Sequence, residues 1–303
     1  MTKHIAITGA TGLIGSALTH ALIARGDSVV AFSRTPETTT LAGATIVKWN
    51  PSDRQHTMNA LAGCDTVVNL VGASIAGRRW TPAYKQTLER SRIDATQQLL
   101  EAIAQMPHRP HTFVSSSGAG YYGIDRTLKQ EHDSAGSDYL AQLCIRWEQA
   151  AQPAQALGMR LVIARTGVVL TADGGALPLM ALPFRFFVGG PVLPGTQAIS
   201  WIHLEDMVNL LLWMIDTPQA QGAYNACAPQ AVDNNTFGHT IAQTLRVPMW
   251  LPVPQFALRL LFGEMADALL IGGQAVVSER LAAEGFTFRY PTIDTALKAI
   301  YGR

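Results

Sequence analysis

The eight-residue run Thr8-Gly9-Ala10-Thr11-Gly12-Leu13-Ile14-Gly15 limits what this chain can fold into more than any other feature. It follows the apolar run Ile5-Ala6-Ile7 and precedes a stretch of helical spacing, so it reads as the turn from a first strand into a first helix. The three glycines have separate uses there. Gly9 permits the tight turn, Gly12 leaves the backbone open to a pyrophosphate, and Gly15 lets the helix lie close on the strand. The helix N-terminus adds unpaired N–H groups and a partial positive charge, which suit an anion. An ordinary strand–helix turn needs no such set. Strand, three glycines, helix and following strand coincide, and together they point to a dinucleotide site built on Gly9, Ala10, Thr11, Gly12, Leu13, Ile14 and Gly15.

Short apolar runs alternate with helical patterns through the first 165 residues, which is the mark of a parallel sheet flanked by helices. Candidate strands are His4-Ile7, Ser28-Phe32, Thr45-Trp49, Thr66-Leu70, Thr112-Ser115 and Arg160-Ala164. The spacing predicts one long helix from Thr81 to Gln105, with Thr81 as N-cap and Pro82 in its first turn. A stretch rich in glycine and proline, from Gly174 to Gly195, breaks the alternation. A helix from about Leu204 to Ile215 and a short strand near Ala223-Ala226 follow, and from about Val232 three or four helices. The expected fold is α/β. It is a Rossmann-type doubly wound parallel sheet over 1–231, with a lid-like insertion near 174–200 and a smaller, mainly helical C-terminal substrate lobe over 232–303.

The end of the second strand decides which dinucleotide is preferred. An NAD site places Asp or Glu there for the ribose 2′-hydroxyl. This chain has Ser33-Arg34 instead, with no acid after them until Glu37. A carboxylate repels a 2′-phosphate, whereas a guanidinium and a hydroxyl bind it by charge-assisted hydrogen bonds. The alternative is a solvated surface arginine, but the position at the adenosine end favours NADP(H).

Net charge is +1, so no basic field exists for a nucleic-acid backbone. The most apolar late stretch, Val253 to Gly273, contains Arg259, Glu264 and Asp267 and does not read as a membrane span. Cys64, Cys144 and Cys227 are too few and too far apart for a disulfide framework or a zinc site, and suit a reducing cytoplasm. A small-molecule substrate is the expected partner, and no metal site is expected.

The glycine turn resembles that of the extended short-chain dehydrogenase/reductase superfamily. Further runs narrow the resemblance: Asn69-Leu70-Val71-Gly72, Gly77-Arg78-Arg79-Trp80, Ser91-Arg92, Ser115-Ser116-Ser117, Gly120-Tyr121-Tyr122-Gly123, Trp147-Glu148, Gly189-Gly190-Pro191 and Ser200-Trp201-Ile202-His203. With the tail from Leu251 to Pro291, they look like an atypical branch, the epimerase family of unknown function, which ends in a small C-terminal domain. The resemblance implies NADP along the carboxyl ends of the strands. By position it implies Leu70, Val71 and Gly72 along the adenosine and ribose, Arg92 at a phosphate, and Val169 near the nicotinamide.

Proton chemistry in the wider superfamily belongs to a Tyr-x-x-x-Lys pair, whose cation stabilises the phenolate. Here Tyr139 is followed four residues on by Leu143. The register one residue later offers Leu140 and Cys144. Neither register has the lysine, and the atypical branch lacks the pair. Ser117 and His203 are the candidate catalytic groups, with Tyr122 and Trp201 as candidate cleft residues. Each has a plain structural reading beside it: tyrosines packed over a loop, Cys144 as a core thiol, and His203 as a helix N-cap beside Glu205 and Asp206. Arg146 is too basic to relay a proton. Two functions follow from these readings. One is an NADP-dependent oxidoreductase or epimerase on a small molecule, and the other is a non-catalytic NADP(H) sensor or interaction protein.

Overall fold

The computed structural model describes residues 2–302. Its strands are His4–Thr8 (β1), Ser28–Ser33 (β2), Thr45–Lys48 (β3), Thr66–Asn69 (β4), Thr112–Gly118 (β5), Asp125–Lys129 (β6), Arg160–Thr166 (β7), Val168–Leu170 (β8), Ala198–Ile199 (β9), Trp201–His203 (β10), Gly222–Ala226 (β11), Val232–Asp233 (β12) and Gln274–Val276 (β13). Its α-helices are Leu13–Arg25 (α1), Arg54–Leu61 (α2), Pro82–Arg90 (α3), Ile93–Ala104 (α4), Tyr139–Ala151 (α5), Pro153–Ala156 (α6), Leu177–Arg185 (α7), Leu204–Asp216 (α8), Asn234–Leu245 (α9), Gln255–Phe262 (α10), Glu264–Ala266 (α11), Arg280–Ala283 (α12) and Ile293–Tyr301 (α13).

Seven strands form one wholly parallel sheet in the order β11-β7-β5-β4-β1-β2-β3. The order reverses beside β1, the switch point at which a doubly wound sheet opens a crevice at its carboxyl edge. Side-chain alternation builds a core on each face. Ile5 and Ile7 pack with Leu18 and Leu22 of α1 and Met207 and Leu211 of α8. Ala6, on the opposite face, packs with Leu61 of α2, Leu99 and Ile103 of α4, and Phe113. The six strands expected in the first 165 residues are all present, and the short strand expected near Ala223-Ala226 is β11, the seventh, at the edge beside β7.

The single helix expected from Thr81 to Gln105 is two helices. Thr81 caps α3 by accepting from the Tyr84 N–H, with Pro82 at the first position, as the spacing predicts. The break comes at Ser91-Arg92, because both side chains reach back to the loop after β4. Ser91 Oγ takes the Ala73 N–H at 3.0 Å, and the Arg92 guanidinium donates to the Ala73 carbonyl at 2.9 Å. A continuous helix would leave both backbone groups of Ala73 without these partners.

A second lobe gathers α7, α9 and α13 around Leu177, Phe184, Trp201, Phe237, Ile241 and Leu297. Leu177, Ala181 and Phe184 of the insertion near 174–200 are part of this cluster. β9 pairs antiparallel with β12, Leu193 and Val253 are joined by a backbone hydrogen bond, and Trp250 Nε1 donates to the Phe187 carbonyl. β13 in turn pairs with β6, which ties the lobe back to the connection after β5.

Candidate cofactor and substrate site

The glycine turn has the geometry its spacing predicts. Gly9 has φ +69°, and a Cβ there would lie 2.7 Å from the Leu70 carbonyl oxygen. A Cβ on Gly15 would lie 2.8 Å from Ala10 Cα and closer still to the Gly9 carbonyl, so α1 rests directly on the turn. Gly12 differs: its Cβ would meet only the Gly9 oxygen, at 3.2 Å. The space before Gly12 is therefore open, and α1 begins there with no side-chain cap on its first N–H groups. This is a cradle that a side chain at Gly12 would fill, and it fits a pyrophosphate. Gly174 and Gly175, at the start of the insertion, lie against the Leu13 side chain, and Gly175 approaches the Val169 carbonyl. Leu13 and half-buried Val169 thus share one corner of the crevice.

At the end of β2, Ser33 is buried. Its hydroxyl accepts the Thr35 N–H at 3.1 Å and meets Thr39 Oγ1 at 2.7 Å. It shapes the turn from which exposed Arg34 projects. Thr35 and Thr39 were not singled out from the sequence, and the Ser/Thr-rich run to Thr40 was the available signal. Leu70 and Val71 are half-buried and Gly72 exposed at the end of β4. Beneath them Thr8 Oγ1 donates to Asn69 Oδ1 at 2.6 Å, and Asn69 Nδ2 to Thr96 at 2.8 Å, joining β1, β4 and α4. Arg92 has a different role from the expected phosphate contact. It is 7% exposed, lies against Gly72, and donates to the carbonyls of Leu88 and Ala73, bracing the loop from below.

The candidate catalytic and cleft residues are placed as follows. Ser117 is 5% exposed and donates to Glu148 Oε1 at 2.7 Å. Glu148 is held by both Arg165 Nε and Nη2 at 2.9 Å in a buried pair. Tyr122, expected in the cleft, is buried instead. Its hydroxyl donates to Asn225 and accepts from Arg165, each at 2.8 Å, because the polar ends of β7 and β11 need partners beneath the loop. Burial pushes that phenol up to about 12. Trp201 is also a correction: it is 0% exposed, a core residue of the second lobe rather than a cleft wall. His203 is the N-cap of α8, with Nδ1 accepting the Glu205 N–H at 3.1 Å and the ring 4.0 Å from that of Tyr290. Burial lowers its pKa, which keeps the capping nitrogen unprotonated.

The helix after β5 settles the register. Tyr139 points to α3, donating to the Lys85 carbonyl, and burial pushes it up to about 12. Leu140 and Cys144 face the chain after β5. A Cβ on Gly120 would lie 3.3 Å from Leu140 Cβ, and one on Gly118 3.6 Å from Cys144 Sγ. Cys144 is a core thiol, pushed up by burial to about 11.

The NAD dependent epimerase/dehydratase family matches residues 5–227, and a domain of unknown function (DUF1731) matches 253–300. The chain is 39% identical over 298 residues to the epimerase family protein SSP1921 of Staphylococcus saprophyticus, covering 98% of each. It is 42% identical over 295 residues to Mb2239 of Mycobacterium bovis, covering 97% of this chain and 96% of that protein. The crystal structure of human epimerase family protein SDR39U1 (isoform 2) with NADPH matches with a TM-score of 0.88 at 32% identity, over 98% of this chain and 99% of that one. The chain belongs to the NAD dependent epimerase/dehydratase family, as an atypical short-chain dehydrogenase/reductase carrying the DUF1731 domain behind its Rossmann sheet.

Proposed function

We propose that this protein binds NADP(H) and serves hydride transfer on a small molecule in the cytoplasm. The observation that carries the reading is the open cradle at Gly12 together with Arg34, exposed at the end of β2 with no acid beside it. The human relative whose structure contains NADPH supports it. The turn from Gly9 to Gly15 would hold the pyrophosphate, Arg34 and the Ser33 turn the 2′-phosphate, and Leu70, Val71 and Gly72 the adenosine and ribose. Val169 would border the nicotinamide, whose reduced form supplies a hydride when bound. Among the described residues no helix is long and apolar enough to cross a membrane, and no group of His, Cys, Asp and Glu is arranged to hold a metal.

A non-catalytic NADP(H) sensor is the second reading. It is favoured by one observation, the commitment of Ser117 to Glu148 and of His203 to the α8 cap. Titration of the purified protein with NADPH and NADH, followed by calorimetry, tests the cofactor assignment. Tighter NADPH binding is expected, and equal affinities contradict it.

A further inference from the structure

Two adjacent serines at the end of β5 face opposite ways. Ser117 lies on the α5 side and donates to the buried Glu148. Side-chain alternation turns Ser116 to the other face of the sheet. Val114, two residues back, and Ala164, its register partner on β7, belong to the core beneath α1 and α8. Ser116 is half-buried, and its hydroxyl reaches solvent with no protein partner among the described residues. Thr166 and Ser115, beside it, donate to the carbonyls of Ala164 and Ser116. Tyr121 also lacks a partner, but its ring stacks on the Arg165 guanidinium and packs with Cys227 and Val276 toward the second lobe.

Strand register fixes where the Ser116 hydroxyl stands relative to the glycine turn. Thr8, Asn69, Ser115 and Ile163 are successive partners across β1, β4, β5 and β7. One residue on, Gly9, Leu70, Ser116 and Ala164 form the next row, at the carboxyl edge. Ser116 is thus two strand spacings, about 10 Å, from Gly9, with Leu70 between them. A dinucleotide whose pyrophosphate lies on the Gly9–Gly15 turn extends one half to each side of it. With its 2′-phosphate at Arg34, after β2, the adenosine half takes the β2 side and the nicotinamide half runs over β4 and β5. Ile14, Leu70 and Val169 pack against the core on the face that Ser116 shares. Such apolar neighbours suit a nicotinamide ring, but its carboxamide needs a hydrogen-bond partner once it leaves water. Resting on the NADP(H) reading, we infer that Ser116 holds the nicotinamide carboxamide. A hydroxyl both donates and accepts, so it serves either end of that amide. Holding the carboxamide also fixes the rotation of the ring, and with it the face of C4 that is turned to the substrate.

The probe is 2′-phospho-ADP-ribose, which keeps the adenosine, the phosphates and the second ribose of the cofactor but has no nicotinamide. Calorimetry of Ser116→Ala should show NADPH bound about 2- to 10-fold more weakly than by the wild type, the range for one neutral hydrogen bond. Both proteins should bind 2′-phospho-ADP-ribose equally. The urea midpoint should match the wild type, in contrast to Ser117→Ala, because the Ser116 hydroxyl has no partner in the protein to lose. Unchanged NADPH affinity would overturn the inference. So would an equal loss for NADPH and 2′-phospho-ADP-ribose, which would assign the hydroxyl to the ribose or to the turn, or a urea midpoint lowered as far as in Ser117→Ala. A wild-type protein that binds neither ligand overturns the cofactor reading, and the inference with it.

Discussion

Ser117 donates its hydroxyl to Glu148 across 2.7 Å, and Arg165 grips the same carboxylate through two nitrogens. Ser117, Arg165 and Asn225 are register neighbours on β5, β7 and β11, so the polar row runs across three strands at their carboxyl ends. Glu131 extends it to the second lobe, accepting from the Asn225 and Glu279 N–H groups.

This row is a structural device, and its loss should appear in stability. Ser117→Ala should lower stability by about 1.5–3 kcal/mol, the range for a hydrogen bond to a charged group. Glu148→Leu should cost more, about 3–5 kcal/mol, because it leaves the Arg165 charge buried without its partner. Urea unfolding of both variants checks the order. A Ser117→Ala protein as stable as the wild type would mean that the hydroxyl has a different task.

Gly12 and Gly15 should separate binding from folding. Gly12→Val fills the open cradle and meets only the Gly9 carbonyl oxygen, a tight 3.2 Å contact that a small shift of the turn relieves, so it should fold and bind no NADPH. Gly15→Ala drives a methyl into Ala10 and the Gly9 carbonyl, and should destabilise by about 1–3 kcal/mol or more through overpacking. Circular dichroism melts beside cofactor titrations distinguish the two effects. A Gly12→Val protein with unchanged NADPH affinity would place the phosphates elsewhere.

His203 makes the fold sensitive to acid. Its folded pKa is depressed by burial, so the folded state binds fewer protons than the unfolded one. Its contribution is therefore present above the unfolded value of about 6.5 and is lost as pH falls from there through the folded value. Protonation at Nδ1 also converts the α8 cap from acceptor to donor. His203→Asn, which keeps a capping oxygen, should flatten the fall in the urea midpoint between about pH 7 and about pH 5. A variant with the same fall as the wild type would assign that sensitivity to another group.

Much of the fold was legible because its signals are local. The strand–turn–helix at Gly9 to Gly15 and the Thr81-Pro82 helix start depend on residues within one turn of each other. The break between α3 and α4 was not legible, since Ser91 and Arg92 answer to Ala73, eighteen and nineteen residues away. The same limit governs the site. Ser117 reads as a substrate-facing hydroxyl until Glu148 and Arg165, distant in sequence, converge on it. Trp201 reads as a cleft residue until α7 and α9 close over it.

The central claim, an NADP(H) site with its 2′-phosphate on Arg34, is tested most directly by comparing Arg34→Ala with the wild type. Calorimetric titration with NADPH and NADH should show the variant losing about 1.5–3 kcal/mol toward NADPH, the range for a hydrogen bond to a charged group, with NADH nearly unchanged. Equal losses for the two cofactors, or none for either, would contradict it.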